Sequence, residues 1–157
     1  SRDEQGRYLG HNSGETRNVH DQLHQIWRGL ADEGVISEET YKKGTVLNFY
    51  KSPEEFMIPL KDTNSAAYRN GLRLVDERTV YVKCPYRRRW NEDGDTATFA
   101  AGLMATIRSW SRHSFASVAG DTIADQVYDR LEQRIAAAPD EWSLDYVEHH
   151  QMMEKVA

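Results

Sequence analysis

The sequence predicts an α/β chain that is mostly helical, with two or three strands. Three observations predict it. Apolar residues recur at helical spacing in long segments, as at Val19, Leu23, Ile26, Trp27 and Leu30. Small polar residues stand where helices need N-caps, with glycine or proline where helices must stop. Two segments, LRLVDERTVYV and LDYVEHHQMMEKV, break the helical period and mix apolar with charged residues as strands do.

In chain order, residues 1–17 read as a flexible polar arm, since SRDEQGRYLGHNSGETR has almost no apolar periodicity. Residues 18–157 carry the fold. Asn18 is placed to cap a helix over 19–33, and Gly34 to close it. A short helix runs from a Ser37 cap through Tyr41 to Gly44, after which VLNFY is extended. In SPEEF, Ser52 is an N-cap, Pro53 the first helical residue and Glu55 the partner in a capping box, so a helix starts there. Gly71 ends that helical stretch, and Leu72, Leu74, Val80 and Val82 mark a strand. A long helix over about 96–118 carries Phe99, Leu103, Met104, Ile107, Trp110 and Phe115. The next begins at an Asp121 cap, carries Ile123, Val127, Leu131 and Ile135, and ends before Pro139. Both have the wide apolar face of a helix that packs on a larger body.

CPYRRRW, residues 84–90, joins the first strand to the long helix. Pro85 stops the strand ladder and 91–95 turn the chain, so the stretch reads as a hinge. Lys83, Arg87, Arg88 and Arg89 are nearly balanced by Glu92, Asp93 and Asp95, which predicts ion pairs or a solvated turn. The formal net charge of −5 likewise argues against a nucleic-acid-binding protein. A single cysteine rules out an internal disulfide and a cysteine-based zinc site, and fits a reduced, cytoplasmic setting. No apolar run approaches the length of a membrane span.

Motifs that would carry chemistry are weak. HDQLH at 20–24 places two histidines on one helix face, but an aspartate stands where zinc proteases use glutamate and no third ligand follows. His20 is better read as a pocket-lining residue or part of a half-exposed face. His149 and His150 fall on opposite faces of a strand and read as surface residues. GHNSG at 10–14 lacks the lysine of a phosphate loop. Ser111, His113 and Asp121 are not set in a nucleophile elbow. No catalytic, cofactor-binding or metal-binding residue emerges from spacing alone. The two strands raise a further question, because each leaves unpaired backbone groups at its edge. Either the chain forms a homodimer through those edges or it belongs to a larger α/β protein.

The order of segments bears on that choice. ADEGVISEE, NFYKSPEEF, NGLRLV with the following strand and CPYR, TIRSWSRHSF, VYDRLEQRIAAAP and DYVEHHQMMEK together resemble the C-terminal half of S-adenosylmethionine-dependent carboxyl methyltransferases of the SABATH type and their bacterial relatives. The resemblance runs from about residue 19 to the end. It implies the C-terminal part of a Rossmann-like fold, with LRLVDERTVYV and YVEHHQMMEKV as the last two strands, an antiparallel pair at the sheet edge. It implies that the helices at 19–33, 96–118 and 121–138 cover the sheet and help form the acceptor pocket. The acceptor-lining positions it implies are Val19, His20 and Leu23, Phe49 or Tyr50, and Met104 and Ile107, with core packing as the plain alternative for the apolar ones. A histidine at position 20 implies a more polar acceptor than salicylate. The cofactor, S-adenosylmethionine, is gripped in that family by upstream segments that these residues do not include. The partners implied are a small-molecule acceptor of the carboxylate class, and a missing N-terminal half or a partner chain. The alternative is a non-catalytic interaction module offering its strand edges to another chain.

Overall fold

A computed structural model describes residues 17–44, 46 and 50–156. Its elements are α1 (Val19–Asp32), α2 (Glu38–Lys43), α3 (Pro53–Lys61), α4 (Ala66–Arg69), β1 (Leu72–Val82), α5 (Pro85–Asp93), α6 (Thr96–Ala119), α7 (Asp121–Ala137), a 3-10 turn at Pro139–Glu141, and β2 (Tyr146–Lys155). Most of the arm expected at 1–17 lies outside the described residues. Its last residue, Arg17, is tied down by backbone and side-chain contacts to Glu141.

The helices begin where the cap residues direct. The Asn18 side chain accepts from the backbone N–H groups of His20 and Asp21, satisfying donors that the first turn of α1 leaves unpaired. Ser37 does the same for α2 through the Thr40 N–H. At α3 both halves of the capping box form: Ser52 accepts from the Glu55 N–H, and the Glu55 carboxylate accepts from the Ser52 N–H at 2.7 Å. At α7 the cap position is taken by Gly120 rather than Asp121, which becomes the first helical residue.

One buried cluster joins α1, α6 and α7. Trp27, Leu30, Phe99, Ile107, Phe115, Tyr128, Leu131 and Trp142 are all inside it. Each such side chain contributes roughly 1.5–3 kcal/mol by leaving water. The packing pairs are α6 with α7, α5 with α6, and α1 with α7, while α3 and α4 lie against β1. None of these packing pairs joins α1, α6 or α7 to β1 or β2. In this chain the apolar faces of the three helices are used chiefly on one another.

CPYRRRW is corrected from hinge to helix. Pro85, which ends the β1 ladder, also suits the first turn of a helix, where its missing N–H costs nothing. Cys84 caps α5 by accepting from the Arg87 N–H at 3.4 Å, and Gly94, at φ 69°, ends it in the left-handed conformation that glycine adopts without strain. Arg87 donates to the carbonyls of Pro139 at 2.7 Å and Trp142 at 3.1 Å, and Arg89 pairs with Asp93 one turn on. The arginine run is a helical brace.

β1 and β2 pair antiparallel, from Leu72 opposite Lys155 to Val82 opposite Tyr146, with a bulge at Val75. They form a two-stranded ribbon, so the strands answer each other, while the outer edge of each meets no strand among the described residues. His150 is exposed and sits 2.7 Å from Glu148, as a surface histidine should. His149 departs from the surface reading. Its side chain is only 3% exposed, because Phe56 of α3 stacks on it at 5.8 Å, and its Nε2 lies 3.3 Å from Glu77. The face of the ribbon that carries His149 is the one α3 covers. Among the described residues no helix is long and apolar enough to cross a membrane.

Candidate functional site

His20 is the polar residue around which a site can be built. Capping by Asn18 fixes the first turn of α1, so His20 leaves the helix toward α6 and the chain that precedes α3. Its Nε2 and the Tyr50 hydroxyl are 2.9 Å apart, and its ring lies 5.1 Å from that of Trp110 and 5.8 Å from that of Tyr50. Burial there pushes the imidazole below its ordinary pKa, and the nearby Asp21 charge opposes that shift without reversing it. At neutral pH the ring is neutral and can both donate and accept.

A cavity of about 50 Å³ opens beside this group, lined by His20, Leu23, His24, Trp27, Val46 and Phe115, with Gly44 at its margin. Trp27 is fixed by donation from its indole N–H to the Tyr41 carbonyl at 3.0 Å and by packing on Phe115 at 4.8 Å. His24 faces the Tyr41 hydroxyl at 3.2 Å. The two histidines of HDQLH therefore address two different phenols rather than one ion. Among the described residues no three His, Cys, Asp or Glu side chains are grouped to hold a metal.

The positions that the family resemblance singled out separate into two sets. His20, Leu23 and Tyr50 come together at or beside the cavity. Val19, Met104 and Ile107 sit within the buried cluster, at 1%, 5% and 0% exposure, so their visible role is packing. Phe49 lies outside the described residues. Trp110 and His24 complete the group and were not among those positions. Trp110 stands three residues after Ile107, a spacing that places neighbours along one helix face and could have identified it.

Chemically, the group is a hydrogen-bonding pair set among rings. Among the described residues no carboxylate lines the cavity to act as a base, and Ser111 is buried and bonded to Tyr128 at 2.8 Å and to the Ile107 carbonyl. A cavity of about 50 Å³ with no acidic side chain among its described lining residues does not fit S-adenosylmethionine, which needs partners for its ribose hydroxyls and far more room. The arrangement suits recognition of a polar atom on a small molecule. No protein-family model matches this chain, and no curated protein matches it.

Proposed function

We propose that this chain is the acceptor-covering, C-terminal part of an S-adenosylmethionine-dependent methyltransferase acting on a small carboxylate, and that it is inactive alone. The observation that carries this reading is the β1–β2 ribbon. Among the described residues two long strands pair only with each other, in the antiparallel sense expected of the last two strands of a larger sheet. Such a ribbon is marginal by itself and gains stability when further strands or helices cover it. The order of segments in the sequence supports the same reading.

The site supports it in a second way. An ionised carboxylate attacking a sulfonium methyl group needs no general base, so the protein's work is alignment and exclusion of water. The neutral His20 imidazole and the Tyr50 hydroxyl supply a polar contact for the acceptor, and Trp110 and Leu23 supply shape. Cofactor binding belongs to other segments, because the cavity beside His20 does not fit it.

The open edges of the ribbon also favour a second reading, a non-catalytic module that offers a strand edge to a partner chain. Calorimetry with S-adenosylmethionine separates the two. We expect no binding by the 157-residue chain and roughly micromolar binding by a longer polypeptide carrying an upstream glycine-rich strand–loop–helix. Micromolar binding by this chain alone, or a natural polypeptide that starts at Ser1, would overturn the proposal.

A further inference from the structure

A groove of about 310 Å³ lies between α5 and the first half of α6. That is the lower end of the range in which small ligands are held. It shares no lining residue with the cavity beside His20 and does not depend on the methyl-transfer reading. Three of its lining residues, Tyr86, Trp90 and Phe99, are aromatic, while Ala101 and Gly102 are too small to fill it.

The rings are held in place. The Tyr86 hydroxyl lies 3.0 Å from Thr106 Oγ1, and the ring rests so close to α6 that a Cβ on Gly102 would come within 2.4 Å of it. The Trp90 indole donates to Thr96 Oγ1 at 3.2 Å, and its ring packs at 5.6 Å from Phe99. A groove with walls this fixed loses little order on binding a flat molecule.

Its charge has a sign. Among the described residues the lining contains two carboxylates, Asp93 and Asp95, against one cation, Arg89. Asp95 is anchored by the Thr98 hydroxyl at 2.6 Å and the Thr98 N–H at 3.0 Å, which hold its carboxyl below the usual range and keep it ionised. Arg89 is 68% exposed, makes a one-turn pair with Asp93 at 3.1 Å and feels Asp95 through charge alone, the kind of surface pairing that a better-placed cation displaces. Arg87 lies over the Trp90 ring at 4.8 Å but does not line the groove, and the carbonyls of Pro139 and Trp142 occupy its guanidinium. Aromatic faces beside a net negative rim are the features that recognise a cation on an apolar body.

We infer that the α5–α6 groove binds a compact aromatic ammonium ion, an arylalkylamine in its protonated form. The aromatic body lies against Tyr86, Trp90 and Phe99, and the ammonium replaces Arg89 at Asp93.

The test titrates the chain with tryptamine, with its neutral counterpart tryptophol and with the anion indole-3-acetate, following backbone amide and indole N–H resonances by NMR. Tryptamine should bind saturably at about millimolar concentration or below, shifting the Trp90 indole and the Gly102 amide. Tryptophol should bind about tenfold more weakly, and indole-3-acetate should not saturate. Asp93→Asn should bring tryptamine close to tryptophol and leave tryptophol unchanged. Ala101→Trp, at an exposed position, should fill the groove and abolish both. Equal binding of all three probes, shifts confined to Trp27, Trp110 or Trp142, or tryptamine binding insensitive to Asp93→Asn would each overturn the inference, whether or not Ala101→Trp folds.

Discussion

His20 and Asp145 both lose stability in acid, His20 because burial disfavours its charged form and Asp145 because hydrogen bonds favour its charged form. At His20 burial disfavours the imidazolium, so the folded pKa lies below the ordinary 6.5. As pH falls through that value the unfolded chain takes up a proton before the native ring does, so stability present above it is lost on the acid side. Urea unfolding at about pH 7.5 and about pH 5.5 should therefore show a smaller acid loss for His20→Gln than for the parent chain, and an equal loss in both would refute the assignment. At Asp145 burial raises the pKa, but the Cys84 N–H and the Ser143 hydroxyl, both at 2.8 Å, with Lys83 beside them, hold the carboxyl below its ordinary 3.8. That contribution is whole above 3.8 and disappears as pH falls through the lower folded value. Asp145→Ala leaves the Cys84 N–H without this acceptor and unties the start of α5 from the approach to β2, for a predicted loss of about 1–3 kcal/mol at neutral pH in denaturant titration. Neither partnership could be read from the sequence. Cys84 and Asp145 meet across 61 positions, and His20 meets Tyr50 across 30.

Elements whose signals are local were legible, and those held by distant contacts were not. SPEEF announces α3 because the capping box is a four-residue interaction, and its cost can be isolated. Ser52→Ala should destabilise by about 1 kcal/mol and speed amide exchange at Glu55 and Phe56 ahead of α6. PYRRRWNED, by contrast, has no apolar periodicity, and its helix is secured by Arg87 reaching carbonyls 52 and 55 positions away. A pattern search sees only charge there. Once α5 forms, its contact with α6 depends on Gly102 being bare. Gly102→Ala would drive a methyl into the Tyr86 ring, which its hydroxyl contact with Thr106 keeps from swinging away. The predicted loss is about 1–3 kcal/mol in thermal unfolding, despite the better helix propensity of alanine. A neutral or stabilising result would mean that Tyr86 is free to move.

For the whole molecule, the helical cluster and the ribbon differ in how completely they bury what they carry. The apolar stripes of α1, α6 and α7 were legible because each finds its cover within the chain. The strands were legible as strands, but what covers them was not, and the ribbon, whose outer edges meet no strand among the described residues, retains Val75, Tyr81, Tyr146, Met152 and Met153 at 36–57% exposure. Exposed apolar residues on an unpaired ribbon favour association, and a two-stranded ribbon with one helix-covered face is the least protected part of the fold. Two results follow from that imbalance. Amide exchange should be fastest among the regular elements in β1 and β2, by roughly a hundredfold over α6 and α7, because opening the ribbon leaves the buried cluster intact. Sedimentation velocity should show mass rising with concentration, and Val75→Lys with Met152→Lys should suppress that rise without shifting the thermal midpoint, since both side chains lie in solvent. A ribbon as protected as the helices, in a chain that stays monomeric at every concentration, would mean the ribbon is complete as it stands. The reading of these strands as part of a larger sheet would then lose its support.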